Sequence, residues 1–257
     1  MTDLSILLPP LCGLARQAGA AILDVYKGDF EVSRKSDDSP VTEADLRAEA
    51  VILDGLRRLT PDIPILSEES STAPRLVEGG AFWLVDPLDG TKEFVKRNGE
   101  FTVNIGLAMD GKPVLGVIYA PVIDRLFSGM PGRATVEDNG RPPRPILCRR
   151  PPGGGLVVLT SRSHHDSVRF NGFIRRFTVA EVRPSGSSLK FAMVAAGEAD
   201  LYPRFGPTME WDTAAGHALI AAAGGCVTQA NGEPLRYGKP GFQNPSVVAW
   251  GAPAPFA

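Results

Sequence analysis

Three observations predict an α/β fold in two parts, an α+β N-terminal half and an α/β C-terminal half. Two stretches with apolar residues at helical spacing open the chain and lead into short β-rich runs joined by Asp-Gly and Asn-Gly turns. Beyond residue 155 the pattern changes to strands alternating with helices, as in layered α/β proteins. Between the two patterns lie Pro142-Pro143-Arg144-Pro145 and Pro151-Pro152-Gly153-Gly154-Gly155, which place a domain boundary near residue 150 and divide the chain into 1–150 and 151–257.

Leu11, Leu14, Ala15, Ala18, Ala21, Ile22 and Val25 line one face of the first helix, with Pro9 and Pro10 suited to its first turn and Gly28 to its end. A short strand is expected near 31–34, then a polar loop. Thr42 and Asp45 have the spacing of a capping box, opening a second helix with an inner stripe of Leu46, Val51, Ile52, Leu56 and Leu59. Residues 61–66 read as a strand that ends at Glu68-Glu69. In 82–86 an apolar run delivers Asp86 to a strand end, where Pro87, lacking an N–H, stops the pairing. Asp89 is suited to cap a short helix behind Gly90. Runs 101–109 and 113–120 form a hairpin about Asp110-Gly111, and 125–129 and 134–137 continue the meander. The second half reads as strand 156–160, helix 166–175, strand 177–182, helix 187–196 and strand 200–202. A last helix over 213–223 is stopped by Gly224-Gly225, and strand 246–250 closes the fold.

The chain of 257 residues, 43% hydrophobic and 22% charged, has the make-up of a globular protein with a sizeable core. A net charge of −2 gives no basic footprint for polymeric nucleic acid or an anionic membrane, and no apolar run suggests a membrane span. Cys12, Cys148 and Cys226 are odd in number and far apart, which fits neither a disulfide framework nor a zinc site and points to a reducing cytoplasm.

Glu68, Glu69, Asp86, Asp89 and Asp212 each end or border an expected strand or helix. Singly, the aspartates have ordinary readings: Asp212, like Asp45, as a helix cap, and Asp86 and Asp89 as acceptors for local amides. Together they form an oxygen-only donor set without histidine or thiolate, which suits hard cations such as magnesium. The chemistry that fits is metal-assisted hydrolysis of a phosphate ester, in which two ions roughly 4 Å apart activate water and stabilise the leaving oxygen. The amides of Gly90 and Thr91 would hold the phosphoryl oxygens. No G-x-S-x-G elbow and no G-x-x-x-x-G-K-[ST] loop is present, which argues against acyl transfer and ATP-dependent phosphoryl transfer.

Glu68-Glu69, Asp86-Pro87-Leu88-Asp89-Gly90-Thr91 and Trp211-Asp212-Thr213-Ala214-Ala215-Gly216 resemble, in order and spacing, the three signatures of the lithium-sensitive inositol monophosphatase superfamily. The resemblance spans nearly the whole chain and implies a layered α/β/α/β/α sandwich. It implies that Glu68, Asp86 and the Leu88 carbonyl hold a first magnesium, that Asp86, Asp89 and Asp212 hold a second, and that a third, weaker ion lies beside Glu68 and Asp45. Thr91 would bond the attacking water and pass its proton to Asp45, so that Asp45, Thr91 and Glu68 form the catalytic set, with Glu69 one step back from the ions. The runs 101–106, 185–190 and 200–208 resemble the CysQ-type 3′(2′),5′-bisphosphate nucleotidase branch, which acts on adenosine 3′,5′-bisphosphate. By that resemblance the substrate meets Gly90, Thr91, His164, Ser187, Lys190, Arg204 and Asp212. Lys190 gains nothing from the helix dipole in a first turn, which favours an anion there; solvated surface charge is the alternative for Lys190 and Arg204, and for His164 the alternatives are that neighbouring His165 takes its role or that either histidine simply lines the loop. Other readings are an inositol monophosphatase or fructose 1,6-bisphosphatase of the same superfamily, and a catalytically silent nucleotide or metal sensor.

Overall fold

The computed structural model describes residues 3–34, 40–70, 76–162 and 166–251. Asp3 caps the first helix by accepting the Ser5 N–H at 2.9 Å, so α1 runs Leu4–Lys27. Its start lies upstream of the expected one, and Pro9 and Pro10 fall inside the helix rather than in its first turn. By length and composition alone α1 is apolar enough to cross a membrane, contrary to the sequence expectation. It lies instead along the large sheet, with Leu11, Ala15, Ala18 and Ile22 fully buried.

The two short strands β1 (Val32–Arg34) and β2 (Pro40–Thr42) pair with each other ahead of α2 (Glu43–Leu59). The inner stripe of α2 differs from the expected one: Leu46 is 54% exposed, and Ala44, Ala48, Ile52, Gly55 and Leu56 face inward. Small residues are needed there because α1 crosses closely; a Cβ on Gly55 would lie 2.2 Å from the Leu14 side chain.

Seven strands form the large sheet in the order β3 (Ile65–Ser67), β4 (Ala81–Asp89), β5 (Thr102–Met109), β6 (Lys112–Ala120), β7 (Arg125–Met130), β8 (Arg133–Asp138) and β9 (Arg144–Pro145). Only β3 and β4 are parallel; the rest is a meander, with Asp110 and Gly111 both at positive φ in the β5–β6 turn. Helix α3 (Thr91–Val95) follows β4. In the second half come β10 (Leu156–Ser161), α4 (Ser167–Ile174), β11 (Val179–Ser185), α5 (Leu189–Ala195), β12 (Leu201–Arg204), α6 (Glu210–Ala222), β13 (Cys226–Gln229) and β14 (Val247–Trp250). Its five strands lie in the order β11-β10-β12-β14-β13, parallel on the first side and antiparallel about β14.

These elements stack as α1 and α2, the seven-stranded sheet, α5 and α6, the five-stranded sheet, and α4. This is the α/β/α/β/α sandwich expected from the sequence. The largest core cluster lies in the middle layer and takes Leu84, Ile118 and Phe127 from the large sheet, Ala214, Ala215 and Leu219 from α6, and Val247 and Ala249 from the small one. A row of glycines seats α6 there. Gly106, Gly116 and Gly129 stand opposite one another on β5, β6 and β7. A Cβ on Gly116 would lie 2.2 Å from the Ala215 carbonyl oxygen, and one on Gly129 2.7 Å from the Leu219 Cα. Without side chains in the way, the α6 backbone rests directly on the sheet, which fixes the position of everything at its N-terminus.

Candidate active site

Alternation along β4 sends Phe82, Leu84 and then Asp86 to the face covered by α6, and Trp83 and Val85 to the face covered by α1 and α2. Asp86 is thereby carried under the N-terminal turn of α6, where Asp212 stands. Glu68 comes from the turn after β3, held by its N–H to the Val85 carbonyl at 3.1 Å. One carboxylate oxygen from each of Glu68, Asp86 and Asp212 lies within 4.8 Å of the others.

The structure departs from three local expectations at this site. Pro87 does not end the strand: after Asp86↔Asn104, pairing resumes at Asp89↔Thr102. The missing N–H falls inside a bulge, where no ladder bond is required of it. Nor does Asp89 cap α3. Gly90 occupies that position at φ 96° with no side-chain cap, a backbone conformation that favours glycine. The Asp89 carboxylate instead reaches across to the second half, accepting the Ser188 N–H in a short bond, and also accepts the amide of Asn104 on the neighbouring strand β5 at 3.5 Å. Asp212 likewise does not precede its helix. It is the third residue of α6, and its Oδ2 accepts the Met209 N–H at 2.8 Å.

Burial, then the Glu68, Asp89 and Asp212 charges, raise Asp86 well above its ordinary value, and burial with Asp89 and Glu68 does the same to Asp212. Asp89 is pushed up to about 6 by burial, against the pull of Lys190 and the Ser188 N–H. Oxygen-only donors that repel one another, Asp86 buried and Glu68, Asp89 and Asp212 half-buried, fit a hard divalent cation, whose charge would relieve both penalties.

Asp45 is 1% exposed and serves two purposes at once. Its Oδ2 accepts the Thr42 N–H and hydroxyl, each at 2.8 Å, which completes the capping box of α2. Its Oδ1 accepts the Thr91 hydroxyl at 3.2 Å, while the Leu88 carbonyl lies 3.4 Å from the same hydroxyl. Glu69 is half-buried on the Glu68 turn.

A cavity of about 230 Å³ opens over these groups, lined by Glu68, Asp86, Leu88, Asp89, Gly90, Thr91 and Asp212 from the acidic side and by Ser187, Lys190 and Arg204 from the second half. Lys190 and Arg204 are 2% and 8% exposed, so neither is a solvated surface charge. The Lys190 ammonium donates to the Ser185 and Ser187 carbonyls at 3.0 and 2.6 Å, and burial pulls it down to about 8 despite Asp89 nearby. The Arg204 guanidinium donates to the Pro207 carbonyl at 3.0 Å. Ser187 holds a positive φ of 50°. His164 lies outside the described residues.

Sequence reasoning missed the polar set that fixes Asp89. Ser188 donates its hydroxyl to Asn104 at 2.6 Å and shares a 2.8 Å bond with Thr102. The available signal was Thr102 and Asn104, two polar residues in an otherwise apolar strand, both fully buried.

Comparison with known proteins agrees with this geometry. Residues 3–252 match the inositol monophosphatase family. The chain is 50% identical over 244 residues to the 3′(2′),5′-bisphosphate nucleotidase CysQ of Escherichia coli K12, covering 93% of this chain and 97% of that one. It is 44% identical over 234 residues to the protein of the same name from Buchnera aphidicola, covering 90% and 87%. Among solved structures, CysQ of Bacteroides thetaiotaomicron superposes with a TM-score of 0.80 at 38% identity over 94% of this chain and 95% of that one. An inositol monophosphatase from Anabaena superposes at 0.78 with 32% identity over 97% and 92%. With its layered fold, its carboxylates drawn together from both halves and a family match along almost its whole length, the chain belongs to the inositol monophosphatase family.

Proposed function

We propose that this chain removes the 3′-phosphate of adenosine 3′,5′-bisphosphate, giving AMP and inorganic phosphate, with magnesium as its metal. The observation that carries the reading is one cavity holding both the acidic cluster of Glu68, Asp86 and Asp212 and two buried cations, Lys190 and Arg204. A phosphate ester with a second, separate phosphate is complementary to that pairing. The relatives at about half identity carry the name of such an enzyme.

The family is metal-dependent, and Glu68, Asp86, the Leu88 carbonyl, Asp89 and Asp212 are the groups that would hold two to three ions. When bound, the metal supplies charge neutralisation at the phosphoryl group and a water of lowered pKa. The chain's own residues do the rest. The Gly90 and Thr91 amides orient the phosphoryl oxygens. The Thr91 hydroxyl accepts a proton from the attacking water as it gives its own to Asp45 Oδ1, along the 3.2 Å bond already present. Asp45 stays fixed throughout because its other oxygen is tied to Thr42. Lys190 and Arg204 anchor the second phosphate, with Ser187 beside the sugar and His164 contacting the nucleotide. We place the chain in a reducing cytoplasm, where its three free thiols stay reduced; burial raises Cys148 to about 12 and Cys12 to about 11, which keeps both protonated.

Phosphate release from adenosine 3′,5′-bisphosphate and from inositol 1-phosphate, each with magnesium and with chelator, tests this reading. We expect kcat/KM for the nucleotide to be higher by at least about a hundredfold, because a site built for polar groups rejects a ligand lacking them. Lithium and calcium are expected to inhibit. Equal rates on the two substrates would favour an inositol monophosphatase, and full turnover in chelator would overturn the metal assignment.

A further inference from the structure

The turn that presents Lys190 is gripped from outside the cavity by a pair of residues with no part in the chemistry above. Glu100 stands just ahead of β5. Its Oε2 accepts the Gly186 N–H at 2.7 Å, and Arg162, at the end of β10, clamps both its oxygens at 2.8 and 2.7 Å. Arg162 also ties down the approach to the turn, through its N–H to the Ser185 carbonyl and its guanidinium to the Pro184 carbonyl, each at 3.3 Å. The fit is close: a Cβ on Gly186 would lie 2.6 Å from the Glu100 carbonyl oxygen. Gly186 is flanked by the two carbonyls, of Ser185 and Ser187, that accept the Lys190 ammonium. Ser187, next along the turn, holds its left-handed conformation only because its surroundings impose it. The far side of the turn is fixed by Ser188 to Asp89. Peptide 186 is therefore the outer anchor of the segment that aims Lys190, and Glu100 with Arg162 is what holds it.

Resting on the function proposed above, we infer that Glu100, clamped by Arg162, is a positioning residue for Lys190 and so sets the preference for a substrate carrying a second phosphate. Glu100 bonds to Gly186 and Arg162 and is not among the residues that line the cavity. Its loss should weaken the grip on the second anion and leave the hydrolytic step alone.

The test compares adenosine 3′,5′-bisphosphate with adenosine 3′-monophosphate in wild type, Glu100→Ala, Lys190→Met and the double variant, with thermal melts to confirm folding. For Glu100→Ala we expect KM for the bisphosphate to rise about tenfold, with kcat and the KM for the monophosphate changed less than about twofold. In the Lys190→Met background the same change should shift the ratio of the two KM values by less than about twofold, because the lever it acts on is gone. Arg162→Met, which keeps the Glu100–Gly186 bond, should move the ratio the same way by less and serves if Glu100→Ala does not fold. An unchanged ratio in both single variants, equal losses on both substrates, or full additivity with Lys190→Met would overturn the inference while leaving the proposed function standing. A wild type that shows no preference for the bisphosphate would overturn the proposed function, and this inference with it.

Discussion

Asp212 is half-buried against Asp86, Asp89 and Glu68, and folding without metal has to bear the repulsion. Asp212→Asn removes one like charge yet keeps an acceptor for the Met209 N–H. We expect it to raise the thermal midpoint of the metal-free protein while lowering phosphate release by about a hundredfold or more; a less stable metal-free variant would contradict the electrostatic account. His217, on α6 beside the Tyr237 hydroxyl at 3.2 Å, gives a pH prediction of definite sign. Burial lowers it from 6.5 to about 4, so between those values the unfolded chain holds a proton that the native state does not. Stability is lost as pH falls through that window, and His217→Gln should flatten this part of the slope in urea midpoints measured from pH 6.5 to 4. At this scale the acidic residues were legible because strand and helix ends announce them. The burial of Lys190 and Arg204 was not, since local sequence gives no measure of what lies above a helix turn. Nor was the Glu100–Arg162 pair, whose members lie 62 positions apart and share no spacing signal.

The glycine row decides where α6 sits, and α6 decides where Asp212 sits. A methyl group at position 116 would meet the backbone oxygen of Ala215 at 2.2 Å, and backbone cannot rotate away as a side-chain tip can. Gly116→Ala should cost about 1–3 kcal/mol. It should also raise the magnesium concentration needed for half-maximal activity, because α6 must lift off the sheet. Unchanged magnesium dependence in a folded, destabilised variant would show that the acidic cluster tolerates the shift. From the sequence, Gly116 reads as a gap in an apolar strand, since its partner is a helix a hundred residues later. Element boundaries misread for related reasons. Asp212 before a run of small residues resembles a cap, but the cap position belongs to Met209, whose side chain carries no such signal. Pro87 reads as a strand end because a bulge that absorbs its missing N–H depends on the neighbouring strand β5.

The halves on either side of the proline- and glycine-rich stretch share one core cluster, and the acidic cluster is shared in the same way: Glu68 and Asp86 come from the first half, Asp212 from the second. The change of pattern at that stretch was legible, as was the alternation that makes the second sheet. The placement of β14 between β12 and β13 was not, because it depends on pairings between strands remote in sequence. A cation held by both halves binds the native state and finds no preformed site in the unfolded chain, so its binding free energy adds to stability. At a hundred times its dissociation constant that is about 2.7 kcal/mol. For a chain of this size, the shift in thermal midpoint is then roughly 5–10 °C. We expect magnesium to produce that rise and chelator to reverse it. Asp86→Asn should lose most of it, because the Asp86 carboxylate is the buried member of the cluster and feels the charges of both Glu68 and Asp212. A magnesium-induced rise undiminished in Asp86→Asn would place the stabilising ion elsewhere and separate metal binding from the closure of the two sheets over α6.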